Sequence, residues 1–276
     1  VRDTLNDEHF RLREGAFAMF DALGMRGVWR RKDAEQVVRK FKALRARFKA
    51  QLERELGGPT YKHIRDKGNV IEDVIVGFLS DTVVIAVVPK EQYLRENRRA
   101  LETFSLILAA RFAGVAMSMA ADNEPRWAYR GSISFGSLVA EHDGTFFIGE
   151  AVDDAAELFA QPDGAFICLT PSAVERFHVS ASQPVGLTPL WRHRVPLKDG
   201  RALDTFVVSP FDNAPRERAR EITTAILSTF TNRPLDVALK AQNTRAFLIH
   251  HLEEYCRAVD AQQEEVARLL RSSDPG

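Results

Sequence analysis

Apolar and polar positions along the chain change period from block to block, and the blocks predict the elements. Ala16–Gly24 (AFAMFDALG) is an apolar run with one carboxylate inside it, and its length and phenylalanine content predict a buried strand. Ala34, Val37, Val38, Phe41, Leu44, Phe48, Leu52 and Leu56 recur at helical spacing, and Gly57–Gly58–Pro59 supplies a stop, which predicts a helix over 34–56. Val70–Leu79 and Thr82–Val88 are β-branched runs parted only by Ser80–Asp81, a tight hairpin. Leu94, Leu101, Phe104, Leu108, Phe112, Val115 and Met119 form the stripe of a long helix from Glu91 to Ala121. Trp127–Val139 reads as a strand, Thr145–Ile148 as a short one after a break at His142–Asp143–Gly144, and Gly149 leads into a helix through Gln161.

The order β-α-β-β-α-β predicts an α+β fold with a ferredoxin-like core, an antiparallel sheet carrying helices on one face. Residues 1–14 read as an N-terminal arm or helix, 15–170 as the core domain, and 171–276 as a C-terminal elaboration packed on it. That last part holds two further strand candidates, Val185–Val195 and Leu203–Val208, and two helices, Pro215–Phe230 and Leu235–Leu270.

Charge and composition narrow the function classes. With 38 Lys+Arg against 38 Asp+Glu, the chain lacks the broad basic field of a nucleic-acid coat, and no nucleic-acid partner is expected. Arg39, Lys40, Lys42, Arg45, Arg47 and Lys49 within 34–56 read as a solvated helix face. Two cysteines, Cys168 and Cys256, are too few for a disulfide scaffold or a cysteine-rich zinc site. Arg111 interrupts the longest apolar stretch, so no membrane span is expected, and the location reads as cytoplasmic.

Two carboxylates stand out because they interrupt apolar runs. Asp21 ends the first strand and Asp81 sits at the tip of a hairpin with apolar arms. In a split βαβ sheet the first strand pairs with the hairpin, so the two acids can converge, and converging carboxylates hold divalent cations. Asp81 fits equally well as a plain turn former. Asp21 needs a partner, and Gly24 behind it permits a bend whose N–H groups face phosphate oxygens.

The segments FAMFDALG, FLSDTVVIAV, RGSISFG and IGEAVDDAAELF, in that order over Ala16–Leu169, resemble a divergent class III nucleotidyl cyclase domain. The resemblance implies that Asp21, Asp81 and the Ala22 carbonyl bind two divalent ions, Mn2+ or Mg2+. Phe20, Leu23, Gly24, Gly77, Phe146 and Asp153 fall at or beside the substrate positions. The family's purine-reading lysine is replaced by Gly77 and its purine-reading acid by Phe146, which implies an enlarged, rearranged base pocket. The asparagine and arginine of its Val-Asn-x-Ala-x-Arg motif are replaced by Asp153 and Glu157. This pattern is similar to the pyrimidine cyclases of bacterial Pycsar anti-phage systems. It implies UTP as substrate, with CTP as the alternative, and a cyclic monophosphate that activates a downstream effector.

The family places its sites between subunits, so a homodimer is expected. Arg130 is the first candidate to replace the missing transition-state arginine, followed by Arg98 and Arg99. Tyr61, Tyr93 and Arg98 are candidates to fill the space beside a smaller base. The competing reading is a catalytically inactive cyclase-like domain that binds a nucleotide or a protein; Asp153 and Glu157 support it. Retention of two acids in apolar strands speaks against it.

Overall fold

The computed structural model describes residues 11–23, 25, 33–57, 70–124, 126–178, 188–211, 214–231 and 235–272. Strand β1 (Arg13–Ala22) is the hub, paired antiparallel with β3 (Thr82–Pro89) on one side and β4 (Tyr129–Ala140) on the other. Strand β2 (Ile71–Leu79) closes the hairpin with β3, giving the order β2-β3-β1-β4. That is the antiparallel βαββαβ sheet expected from the sequence. Beyond β4 the sheet continues through β6 (Ile167–Leu169), β8 (Ala202–Val208) and β7 (Leu190–Pro196), and β5 (Phe147–Ile148) pairs off the end of β4. The β4–β6 pairing is parallel, so the whole sheet is mixed.

Helices α1 (Ala34–Gly57), α2 (Glu91–Glu96) and α3 (Arg98–Ala121) follow the predicted stripes, with a break at Asn97. Val37, Phe41, Leu44, Phe48 and Leu52 of α1 are all buried in one core cluster with Phe20, Ile85, Phe112 and Ile133. α3 is long and apolar enough to cross a membrane, yet most of it is buried in that core.

One expectation is corrected here, because helices cover both faces of the sheet. α4 (Glu150–Phe159) lies on the face opposite α1 and α3. Strand alternation sends Ile133 and Phe135 to one side and Ser132 and Ser134 to the other. The two serine hydroxyls donate to the Ala155 and Ala151 carbonyls of α4, so the small polar residues of β4 seat that helix.

β6 and the short helix α5 (Pro171–Arg176) have no counterpart among the predicted elements. Three residues of apolar sequence give too little period to read. Helices α6 (Arg216–Ser228) and α7 (Leu235–Ser272) share a second core with Cys168 and Val207 of the sheet and with Phe166 just before β6. Burial pushes the Cys168 thiol up to about 12, which fits a small core residue rather than a reactive one.

Candidate functional site

β1 ends, and the β2–β3 hairpin turns, at the same edge of the sheet. Asp21 is in register with Thr82 of β3 and Arg130 of β4, so all three share one face. The backbone N–H of Ala22 donates to the Asp81 carbonyl at 3.3 Å, tying the strand end to the hairpin tip. Ser80 occupies the left-handed region (φ 60°), a strained position for a residue with a Cβ. Arg45 of α1 braces it, donating to the Ser80 and Phe78 carbonyls at 3.2 and 3.4 Å while its guanidinium lies 4.4 Å from the Phe78 ring centre.

The acids open on a cavity of about 650 Å³. Leu23, Met25, Val38 and Phe41 give it an apolar wall, whereas Lys42, Arg45, Arg130, Lys198 and Lys240 set five cations against the two carboxylates. An apolar wall beside concentrated positive charge and a pair of acids matches the two halves of a nucleotide, base with sugar and polyphosphate with metal.

The Asp21 side chain is 23% exposed and that of Arg130 11%, with Nη2 3.4 Å from Asp21 Oδ2. Burial raises the Asp21 carboxyl above its ordinary value; Arg130 opposes the shift and the charge of Asp81 adds to it. Asp21 Oδ1 and Arg130 Nε are buried without hydrogen-bond partners among the described residues. A partly buried carboxylate with an unused oxygen, repelled by a second carboxylate, fits a divalent cation. Asp21, Asp81 and the Ala22 carbonyl are the residues that would hold it. Among the described residues no group of three or more His, Cys, Asp or Glu side chains comes together, so the remaining oxygens would come from backbone and substrate.

The raised carboxyl predicts a pH effect. The native chain holds the Asp21 proton more tightly than the unfolded one, so this group lowers stability as pH rises from about 4 through its raised value. In chelator, Asp21→Asn is expected to raise Tm at pH 7 and to flatten that slope. Melts between pH 4 and 7 check this, and a lowered Tm would contradict it.

The sequence candidates divide. Asp21, Ala22, Leu23, Asp81 and Arg130 meet in the cavity. Gly24 and Tyr61 lie outside the described residues. Phe20 is a core residue, fully buried with its ring edge-on to Tyr129, because alternation turns it away from Asp21. Arg98 is not at the acids in this chain: it pairs with Glu14 at the start of β1 and with Glu102. Seven residues of strand separate Glu14 from Asp21, roughly 23 Å. Arg99 follows it on α3, and Tyr93 of α2 packs on the core beyond the end of β3 remote from the hairpin. Phe146 and Asp153 are exposed and do not line the cavity.

The base pocket at Gly77 is also corrected. A Cβ there would meet the Gly144 carbonyl oxygen at 2.2 Å and the Phe147 ring at 2.7 Å, so the position is filled rather than enlarged. Gly144, with φ +74°, crosses over it.

No protein-family model and no curated protein sequence matches the chain. Solved structures similar to it include the catalytic core of a rhodopsin-guanylyl cyclase with converted specificity in complex with ATPαS, at 15% identity and TM-score 0.40 over 72% of this chain and 97% of that one. The guanylyl cyclase Cya2 gives 14% identity and TM-score 0.37 over 72% and 92% of the two chains. The adenylyl cyclase CyaB from P. aeruginosa gives 12% and 0.42 over 72% and 95%. Each of these three is described as a guanylyl or adenylyl cyclase.

Lys42, Arg45, Lys198 and Lys240 are the lining cations that sequence reasoning missed. For the first two a signal existed. Lys42 and Arg45 sit next to Val38 and Phe41 of the apolar stripe, at the border between the core and solvent. Lys198 in the β7–β8 turn and Lys240 on α7 arrive by long-range topology, which no local pattern encodes.

Proposed function

We propose that the chain is a nucleotidyl cyclase that converts a nucleoside triphosphate, UTP first and CTP second, into the 3′,5′-cyclic monophosphate and pyrophosphate. The observation that carries the reading is the Asp21–Asp81 pair, tied through Ala22 and opening on a cation-lined cavity of nucleotide size. Cyclisation forms the bond from the ribose 3′-oxygen to the α-phosphorus and breaks the bond to the pyrophosphate oxygen. The 3′-hydroxyl gives up its proton to solvent and pyrophosphate departs. Two divalent ions bound by the acids would acidify that hydroxyl and neutralise the triphosphate.

The protein's part is to position and to neutralise charge. Asp21 lies between two strands with Arg130 in register beside it, and in this reading Arg130 would supply the cation that meets charge developing on the α-phosphate. Arg130 thus serves in place of the family's arginine, whose position is Glu157 on an exposed face of α4. The pyrimidine rests on the sequence resemblance, in which the purine-reading lysine position is Gly77; Gly144 and Phe147 leave no room for a side chain there. Exposed Leu79, beside the hairpin turn, and exposed Phe146 and Ile148 give a second copy apolar surface to cover, consistent with a homodimer. As in the pyrimidine cyclases the sequence resembles, the product would act as a messenger for an anti-phage effector.

Incubation with each of the four nucleoside triphosphates and Mn2+, with products resolved by chromatography, tests the reading. Cyclic UMP is the expected main product. Cyclic AMP or GMP as the main product would overturn the pyrimidine assignment. No cyclic product at all would leave the inactive nucleotide-binding domain.

A further inference from the structure

Helix α7 lies outside the βαββαβ frame, yet it brings a cation to the same cavity as the two acids. Its placement is fixed by polar contacts. The Thr244 hydroxyl, fully buried, accepts from the Ala165 N–H at 2.9 Å and donates to the Lys240 carbonyl one turn back at 2.7 Å. Asn243 Nδ2 donates to the Asp163 carbonyl at 2.8 Å. These bonds pin the first turns of α7 to the segment entering β6, and Lys240 lines the cavity from there. Lys42 lines it from α1, next to the Phe41 that anchors that helix in the core.

We propose that Lys240 and Lys42 form a polyphosphate-binding subsite, so that the C-terminal helix contributes directly to the nucleotide site. The ligand class is a linear polyphosphate, as the tail of a nucleoside triphosphate or as released pyrophosphate. The subsite rests on the functional reading above for its biological substrate, but its chemistry can be read separately. The charge it supplies is not available from α4, whose solvent face carries Glu150, Asp153 and Glu157, all exposed. Lys198 is engaged elsewhere: its Nζ donates to the Ala160 carbonyl at the end of α4. Lys240 lies close enough to Lys198 to depress the ammonium of that residue, third in effect after burial and Arg130, so the cations crowd one region that an anion would relieve.

The test is calorimetric titration of the full chain with Mg2+–tripolyphosphate, with Mg2+ alone as the reference. Lys240→Ala and Lys42→Ala are each expected to weaken tripolyphosphate binding about tenfold while leaving Mg2+ binding unchanged. Lys240→Arg should retain most of the affinity. Lys49→Ala, on the exposed side of α1, should bind as wild type. Lys240→Gln replaces the alanine variant if circular dichroism shows that variant unfolded. The proposal is overturned if wild type does not bind tripolyphosphate, if the Lys240 variant binds as wild type, or if Lys49→Ala weakens binding equally. Retention of this pattern without any cyclic product would sink the cyclase reading and keep the subsite. Cyclic product with no lysine effect would do the reverse.

Discussion

Asp81→Asn is expected to cut cyclic-nucleotide formation by at least about a hundredfold while the protein stays folded. Loss of an outer-shell partner of a metal ligand already costs about 10–100-fold, and Asp81 is read as a ligand itself. The fold survives because the side chain sits on a two-residue turn and is not among the buried core residues. The same variant is expected to lose the stabilisation that metal gives. Mn2+ at about a hundred times its Kd stabilises a native state by about 2.7 kcal/mol. For a domain of this size that is roughly 5–10 °C in Tm. Wild type should show that rise, and Asp81→Asn and Asp21→Asn should both lack it. The two readouts are separable, since one is turnover and the other is a melting curve without substrate. Normal turnover with a normal Mn2+ shift in Asp81→Asn would remove the two-carboxylate assignment.

That assignment was legible in the sequence because both acids break strong apolar periods. A carboxylate inside AFAMFDALG and another between two β-branched arms are local anomalies. The split βαβ order then places them at one sheet edge, as the β1–β3 register bears out. The cations were much less legible. Arg130 could be placed because it opens a recognisable strand. Arg45 and Lys42 were lost in a run of six basic residues, where only the side of the helix decides which charges meet the cavity. Lys198 and Lys240 depend on a sheet extended through β6, a strand of three residues. Short strands and chain-distant contacts leave no period to detect, so this wall of the site emerges only in three dimensions. Arg98 shows the opposite error: its residue type suited the chemistry, but its salt bridges to Glu14 and Glu102 hold it near the other end of β1.

Gly77→Lys, which restores the residue type that reads a purine in the family the sequence resembles, is expected to damage the fold instead of changing specificity. The Cβ alone would sit 2.2 Å from the Gly144 carbonyl oxygen and 2.8 Å from a Val84 methyl. Gly144 cannot easily yield, since its own φ is +74° and a Cβ placed there would lie 2.3 Å from the Val76 carbonyl oxygen. Two backbone segments therefore touch through paired glycines, and any side chain at 77 must lift the β4–β5 turn from β2. Overpacking of a tight site costs about 1–3 kcal/mol and more when backbone must move. A drop in Tm of about 5–10 °C is expected for lysine, and a smaller drop in the same direction for Gly77→Ala. Chemical denaturation of both variants checks this, together with the four-nucleotide assay on whatever remains folded. If Gly77→Lys is as stable as wild type and gains purine turnover, the position is open to a side chain and the closed glycine contact is refuted.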